Sequence, residues 1–191
     1  MLLAAVTARL DASSAFSQPA GWAQIRRDDC SGPLRTDLSQ AFFYKVVSGS
    51  EPSSYVFSFP ASTGAAGTVL AYTGVSSSAP VIASTGRYTR NSVVTHGPAV
   101  TASAEGGRVI GFFGHSGAEG VSAPSGMTQR TTTYVSDGST VTLSSADEAL
   151  ASSASSGNKA ARSARQQSCN LGGLILLRPG GSDPSPPPPP P

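Results

Sequence analysis

The sequence predicts an all-β protein, an antiparallel two-sheet sandwich built from two similar halves. Three observations carry this prediction: a composition rich in small residues, short apolar runs between turn residues, and an internal repeat. Only 13% of the 191 residues are charged, about half the ~25% of an average globular domain. Ser, Thr, Gly and Ala make up the difference, and these residues suit strands, turns and exposed sheet faces better than helices.

Apolar runs of strand length alternate with clusters of Gly, Pro and Ser, as in sandwiches and barrels. The predicted strands are Leu3–Thr7, Trp22–Arg27, Ala41–Val47, Tyr55–Phe59, Val69–Val75, Arg108–Phe113, Met127–Tyr134 and Leu174–Leu177. Tyr55–Phe59 alternates large aromatic and smaller residues, which is the period of a half-buried strand. Ser145–Ala154 has a helical composition, but the repeat aligns it with Ala41–Val47, so we predict a strand there.

The internal repeat has an offset of 105 residues, which separates Trp22 from Met127. Both residues follow a Ser-x-Pro-Ala/Ser-Gly segment, and the same offset aligns Leu3–Ala8 with Arg108–Phe113 in character. The repeat predicts equivalent halves related by a pseudo-twofold axis. Each half has a Pro-x-Gly turn, in which we expect a proline-set φ and then a glycine with positive φ, as in a type II turn.

We expect one β-sandwich module over residues 1–179 and a linker over residues 180–191. Pro186–Pro191 has fixed φ and no amide donors, so this disordered tail is expected to be a stiff polyproline II spacer rather than a ligand for a proline-binding domain. Met1–Val6 resembles a signal-peptide core, but no positive segment precedes it and Arg9 interrupts the apolar run. We interpret Leu2–Leu10 as a strand of a module truncated at its N-terminal edge. No apolar run approaches the ~20 residues of a membrane span.

Candidate catalytic and metal-binding residues are few. Gly114–Ala118 looks like a nucleophile elbow around Ser116, but neither a helix-forming segment nor a histidine follows it, so we predict a polar loop. His96 and His115 are the two histidines and are expected to be solvated in separate loops, too few for a catalytic zinc site. Asp137 lacks the spacing of an acidic calcium loop. We therefore predict no catalytic residue, no metal and no cofactor.

Charge excludes further classes. The net charge of +2 is too small to indicate binding to nucleic acid or to an anionic membrane. Asp28-Asp29 and Asp147-Glu148 are adjacent carboxylate pairs. Neighbouring side chains of a strand point to opposite faces, so neither pair forms a site by itself.

Cys30 and Cys169 are the two cysteines, too far apart in sequence for a C-x-x-C redox or zinc motif. They are either two buried free thiols or a disulfide. The Ser/Thr/Gly-rich composition and the proline tail indicate secretion, where pairing is permitted. The repeat aligns Cys169 with Gly64 before the last strand of the first half, so the candidate disulfide would join the Cys30 loop to the final hairpin, both cysteines lying at strand ends.

The aromatic residues offer one further candidate site. Tyr88 lies in the polar segment Arg87–Asn91, which we interpret as a loop, and it is the candidate ligand-contact aromatic. Buried aromatics dominate sandwich cores, so the others are assigned to the core rather than to a sugar-stacking platform. These are Trp22, Tyr44, Tyr55, Tyr72 and Tyr134.

Several motifs together resemble a known module. They are Gly21-Trp22 with Ile25-Arg26-Arg27, Phe43-Tyr44-Lys45-Val46 with Glu51-Pro52-Ser53-Ser54-Tyr55, Leu70–Val75 and Pro124–Thr128. They resemble the jelly-roll-like β-sandwich repeat module of large secreted bacterial surface proteins and of phage tail or fibre-like proteins. The resemblance covers nearly the whole chain before the tail and implies a non-catalytic role beside immunoglobulin-like, fibronectin-type and carbohydrate-active domains. Cys30 and Cys169 lie outside its pattern.

Two functions stay open at this point. The first is a secreted, monomeric structural or adhesion module at a cell or virion surface, whose partners are the flanking domains of the same polypeptide. The alternative is a carbohydrate-binding module of a secreted polysaccharide-active enzyme. Two or three coplanar exposed aromatics would favour the alternative.

Overall fold

The computed structural model describes residues 1–31, 37–60, 64–103, 105–136 and 138–182. The proline tail Pro186–Pro191 lies outside these residues. The strands are β1 (Leu2–Ala8), β2 (Ala23–Cys30), β3 (Leu38–Lys45), β4 (Ala65–Ala71), β5 (Val81–Gly97), β6 (Gly107–His115), β7 (Val121–Ser122), β8 (Thr128–Val135), β9 (Val141–Leu150) and β10 (Lys159–Leu177). A short 3-10 helix, Gly180–Ser182, follows them.

The strands form two antiparallel sheets that pack face to face. Sheet one has the order β2-β3-β1-β4. Sheet two has the order β5-β10-β6-β9-β8, and the short β7 pairs with β10. Phe42 of sheet one lies against Phe112 of sheet two, with ring centroids 5.1 Å apart. The predicted all-β sandwich is confirmed.

The two sheets share one topology. A shift of 105 residues takes β2, β3, β1 and β4 onto β8, β9, β6 and β10, which have the same order across sheet two. The register of the central pair also agrees, since Leu2 pairs with Lys45 and Gly107 with Leu150. The predicted equivalence of β1 and β6 is confirmed, and sheet two adds β5 and the short β7.

The two halves also share a β-bulge at equivalent positions. A β-bulge lies between Gln24 and Arg26 on β2 and again between Gln129 and Thr131 on β8. β8 is shifted along β9 by two residues relative to β2 along β3. Because side chains alternate with a period of two, an even shift keeps every residue on its own face of the sheet.

Apolar side chains form a central layer and two outer layers. The central cluster lies between the sheets and includes Leu3, Leu38, Phe42, Ile110, Phe112, Leu143, Leu171 and Ile175. The outer cluster of sheet one includes Val6, Phe16, Trp22 and Phe43, and that of sheet two includes Val109, Phe113, Val121, Leu174 and Leu176. Both faces of β1 and β6 are therefore buried, which explains their continuous apolar sequences.

Tyr55–Phe59 is not a strand, contrary to the prediction. In this segment Ser58 alone pairs, in an isolated bridge with Ser17. Its aromatic side chains cover the outer face of sheet one around Trp22, whose ring meets two of them edge-on. The alternation correctly reports a half-buried segment, but the burial comes from a sheet face and not from neighbouring strands.

The two longest strands were not fully predicted from the sequence. β5 was not predicted, and β10 extends far beyond the predicted Leu174–Leu177. The two strands pair along their length, from the pair Val81 and Leu177 to the pair Gly97 and Lys159. Many of their residues are Ser, Thr, Arg or Gln, so the sequence has no apolar alternation that would predict a strand. Elsewhere β4 ends at Ala71, short of the predicted Val75, and β9 confirms a strand where the composition is helical.

The Pro-x-Gly turns are present in both halves. Gly21 and Gly126 have φ of 80° and 84°, as predicted. In each turn the amide of the residue after the glycine donates to the carbonyl of the proline. The proline therefore occupies the first position of the turn and does not set a central φ, which corrects the prediction. The glycine occupies the third position, where a type II turn needs positive φ.

The N-terminal segment belongs to the fold. β1 lies between β3 and β4 in sheet one. Leu3 and Ala5 face the central cluster, while Ala4 and Val6 face the outer cluster. The predicted strand and its faces are confirmed. The described residues include no helix with the length and apolar composition needed to cross a membrane.

The close approach of the sheets can be tested at Gly173. A Cβ there would lie 2.5 Å from Cε2 of Phe42 and 2.9 Å from the carbonyl oxygen of Thr85. We expect Gly173→Ala to lower the free energy of unfolding by about 1–3 kcal/mol, the usual effect of overpacking. Gly120→Ala is the matched control, because its Cβ would meet no atom within 4 Å. Urea unfolding followed by tryptophan fluorescence measures both, and equal stabilities would contradict this packing.

Candidate functional site

A disulfide joins the two sheets. Cys30 ends β2 at the edge of sheet one, Cys169 lies within β10, and their Cα atoms are 6.1 Å apart. Both residues are buried in the central cluster. The prediction placed both cysteines at strand ends, which is correct for Cys30 and wrong for Cys169. The bond therefore fastens the edge of one sheet to an interior strand of the other.

Tyr88 lies on β5 and not in a loop, which corrects the sequence interpretation. It is 55% exposed, so the expected exposure is confirmed, while ligand contact stays a prediction. Tyr88 pairs with Leu171, a residue of the central cluster, and therefore lies on the inner face of sheet two. Arg90 lies on the same face opposite Cys169. An exposed aromatic and an exposed cation thus flank the disulfide.

The other aromatics form no platform with Tyr88. Trp22 is buried under the outer face of sheet one, as predicted. Tyr134 is 56% exposed on β8, although the sequence assigned it to the core. β5 and β8 are opposite edges of sheet two, so Tyr88 and Tyr134 face different regions of solvent and cannot stack on one sugar chain segment together.

Side chains of the Phe43–Val46 and Glu51–Tyr55 motifs contact each other. The ammonium of Lys45 lies 2.6 Å from Glu51 and 5.2 Å from the centre of the Tyr55 ring. The Tyr55 hydroxyl donates to the same Glu51 carboxylate. These contacts close the segment that covers sheet one, so the two motifs have a structural role here.

His115 is buried, and the prediction that it is solvated is wrong. It ends β6, its Nδ1 accepts the Gly117 amide at 3.0 Å, and its Nε2 is buried with no partner among the described residues. Burial lowers the pKa of His115 to about 4. His96, on β5, is half-buried. The two imidazoles therefore belong to different environments.

Ser116 lies in a polar loop between β6 and β7, as predicted. Its Oγ accepts the Cys169 amide at 3.1 Å, and its carbonyl accepts from Arg9 at 2.8 Å. The next regular element is a strand rather than a helix. The serine thus holds the loop against β10, and a strand follows it where a nucleophile elbow has a helix.

A cluster of polar side chains surrounds Asp147 on β9. Asp147 is only 2% exposed, yet its carboxylate accepts four hydrogen bonds. Arg130 donates two, at 2.8 and 2.9 Å, Arg108 donates one at 3.1 Å, and the Tyr72 hydroxyl donates one at 2.9 Å. The sequence analysis considered Asp147 but did not identify these partners, because the three residues come from three separate parts of the chain.

The cluster opens into a cleft of about 340 Å³. The cleft is bounded by Leu70–Thr73 at the end of β4 and by the charged side chains of sheet two. Arg108 and Arg130 are 41% and 43% exposed. Each guanidinium therefore contacts the buried Asp147 carboxylate and is also partly exposed to solvent.

Electrostatics keep the Asp147 carboxylate charged. Its burial raises the pKa, but hydrogen bonds from Arg130 and Tyr72 and the charge of Arg108 outweigh burial, so the pKa of Asp147 lies below its usual value. Burial and the bond to Asp147 raise the pKa of Tyr72 above its usual range. Tyr72 is therefore a hydrogen-bond donor here and not a general base.

Adjacent carboxylates point to opposite faces, as predicted. Glu148 turns away from Asp147 and pairs with Lys159 at 2.7 Å. Asp28 pairs with Arg26, while Asp29 pairs with Arg27. The described residues contain no group of three or more His, Cys, Asp and Glu placed to hold a metal ion. Asp137, considered for calcium, lies outside the described residues.

Comparison of the chain with protein-family models, with curated proteins and with solved structures finds no match. The candidate sites rest on the geometry of the described residues alone. These sites are the disulfide with Tyr88 beside it and the cleft at Asp147.

Removal of the disulfide should destabilise the sandwich strongly. The bond links residues 139 positions apart, and closing so long a loop in the unfolded chain corresponds to about 4–5 kcal/mol. We expect the double variant Cys30→Ala, Cys169→Ala to lose that much in urea unfolding. A reductant should lower the stability of the native chain and leave the variant unchanged. Equal stability of the variant and of the unreduced native chain would contradict a stabilising disulfide.

His115 should make stability depend on pH. Its pKa of about 4 in the folded chain lies below the ordinary value of 6.5, so the unfolded chain takes up the proton first. Unfolding free energy should fall by up to about 3 kcal/mol as pH decreases from 6.5 to 4. His115→Asn, which can still accept the Gly117 amide, should flatten that fall, whereas His96→Asn should keep it. Identical pH profiles for the native chain and His115→Asn would contradict a buried neutral imidazole.

Proposed function

We propose that the chain is a non-catalytic extracellular module that spaces or anchors neighbouring domains at a cell or virion surface. The disulfide between Cys30 and Cys169 is the observation that carries this proposal. Disulfides persist in secreted proteins and at cell or virion surfaces, and they are rare in the cytosol. The resemblance to secreted and phage-fibre modules agrees with the same location.

The position of the disulfide suits a spacer that is exposed to mechanical force. It connects an edge strand of sheet one to an interior strand of sheet two, across the central cluster. The sheets cannot separate completely while it is intact, whatever happens to the weaker contacts around them. A module placed between domains outside the cell experiences shear and proteolysis, and a covalent tie between its layers limits both kinds of opening.

Carbohydrate binding is the second candidate. It is favoured by the exposed ring of Tyr88 beside Arg90, since a ring face with an adjacent guanidinium can contact both the apolar face and the hydroxyls of a sugar. Carbohydrate binding would be supported if Tyr88→Ala loses retention on a polysaccharide column. Tyr134→Ala, the matched exposed control, should keep that retention. Retention that neither substitution changes would count against this use of Tyr88.

Surface location is the direct test of the leading proposal. An antibody against the sandwich should label intact cells or virions that carry the chain, without permeabilisation. A maleimide should leave Cys30 and Cys169 unmodified in denatured, unreduced material and should modify both after reduction. Labelling that requires permeabilisation, together with two reactive thiols before reduction, would overturn an extracellular role.

A further inference from the structure

Three charged residues cross the inner face of sheet two as a row. Arg130 lies on β8, Asp147 on β9 and Arg108 on β6. These three strands are neighbours in sheet two. Asp147 pairs with Ile110, which belongs to the central cluster, so the row faces the interior of the sandwich. Asp147 is thus placed opposite an apolar residue of the central cluster.

The first half of the chain has apolar residues at the equivalent positions. A shift of 105 residues relates Leu3 to Arg108 and Phe42 to Asp147, in strands that share one register. The same shift relates Ile25 to Arg130, and each occupies the bulge of its strand. Leu3 and Phe42 are fully buried in the central cluster, and Ile25 packs against it. The second half therefore has three charged residues at positions where the first half has apolar residues of the core.

The stability of the sandwich does not require these charges. A buried ion cluster is often no more stable than apolar side chains of similar volume, and the first half shows that apolar residues fit this topology. Sites that break the packing rule followed elsewhere in a fold are frequently functional. The charged row is a candidate for function on that ground, independently of the cleft above it.

The row lies along two adjoining clefts, which we treat together as one groove. The cleft at Asp147 and a neighbouring cleft of about 400 Å³ share Tyr72, Thr73 and Arg108. The second cleft reaches Leu177 on β10. The groove thus crosses β8, β9, β6 and β10, a span of about 14 Å at a strand spacing of ~4.8 Å. A groove of this length accommodates an oligomeric ligand rather than a single inorganic ion.

The groove has an excess of guanidinium donors. Arg108, Arg130 and Arg178 lie along it, against the carboxylates of Asp147 and Glu105. Asp147 is already saturated by four hydrogen bonds. Arg108 gives it one of its five N–H groups and Arg130 gives it two. The described residues provide no other hydrogen-bond partner for these two side chains, and both side chains line the groove.

We propose that this groove, the Arg108–Arg130 groove, binds an acidic polysaccharide through the carboxylate groups of its uronate units. Guanidinium forks match carboxylates in geometry and charge. Asp147 is a positioning residue that holds both forks in place before the ligand arrives, which reduces the entropy lost on binding. The choice of a polysaccharide rests on the extracellular function proposed above, whereas the carboxylate contact rests on the groove itself.

Calorimetric titration of the full chain with trigalacturonate tests the proposal. We expect binding that weakens as salt is raised and that is lost with the methyl ester of the same trisaccharide, which keeps the sugar and removes the charge. Equal binding of the ester would overturn the carboxylate contact. Inorganic phosphate that competes as strongly as the trisaccharide would overturn recognition of a polysaccharide. Failure of surface labelling would overturn the extracellular role and leave this titration unaffected, so the two failures are distinguishable.

Variants locate the site. Arg108→Gln and Arg130→Gln should each weaken binding about tenfold or more, which corresponds to loss of a charged contact. Arg87→Gln and Arg165→Gln, at exposed arginines elsewhere on β5 and β10, are the matched controls and should bind normally. Equal affinity of groove and control variants would overturn the location.

A substitution at the rim of the groove tests the proposal even if loss of an arginine unfolds the chain. Thr73 lines the groove, is exposed and contributes nothing to the Asp147 hydrogen bonds. Thr73→Glu should repel the uronate and weaken binding, while the neutral Thr73→Gln should retain most of it. Tryptophan fluorescence confirms folding of each variant. Equal binding by Thr73→Glu and Thr73→Gln would overturn the proposal without reference to the arginines.

Discussion

Burial of β1 and β6 on both faces is the constraint on which this structure depends. Each is a central strand with apolar side chains pointing both ways, so each sheet needs a cover on its inner and on its outer side. The inner faces cover each other, with Phe42 lying over the space left by Gly173. Irregular segments cover the outer faces, and their Pro-x-Gly turns set the chain direction at Trp22 and Met127.

The repeat makes the differences between the halves informative. Where both halves must pack, they agree, as at Leu38 and Leu143 in the central cluster. Where they differ, the second half has exchanged apolar packing for charge at Asp147 and its arginines. The asymmetry also adds β5 to sheet two, and with it the exposed Tyr88. Both candidate binding surfaces thus arise in the parts of the structure that the symmetry does not require.

The disulfide and the Asp147 cluster stabilise opposite regions of the interface between the sheets. The disulfide joins β2 to β10 on one side, while Tyr72, after β4, reaches Asp147 on the other. One contact is covalent and insensitive to salt, and the other is ionic and partly open to water. A ligand that engages the arginines would therefore act on the side of the sandwich that has no covalent tie.

The sequence by itself determined the all-β class, the two equivalent halves, most of the strands and the turn glycines, because alternation, turn residues and a fixed offset are local signals. It did not determine β5, the length of β10 or the irregular path of Tyr55–Phe59. Those depend on which surface a segment meets, and a polar strand between neighbours has the same composition as a loop. The burial of His115, the partners of Asp147 and the position of Cys169 inside β10 were decided only by the tertiary structure, because each brings together residues distant in the chain.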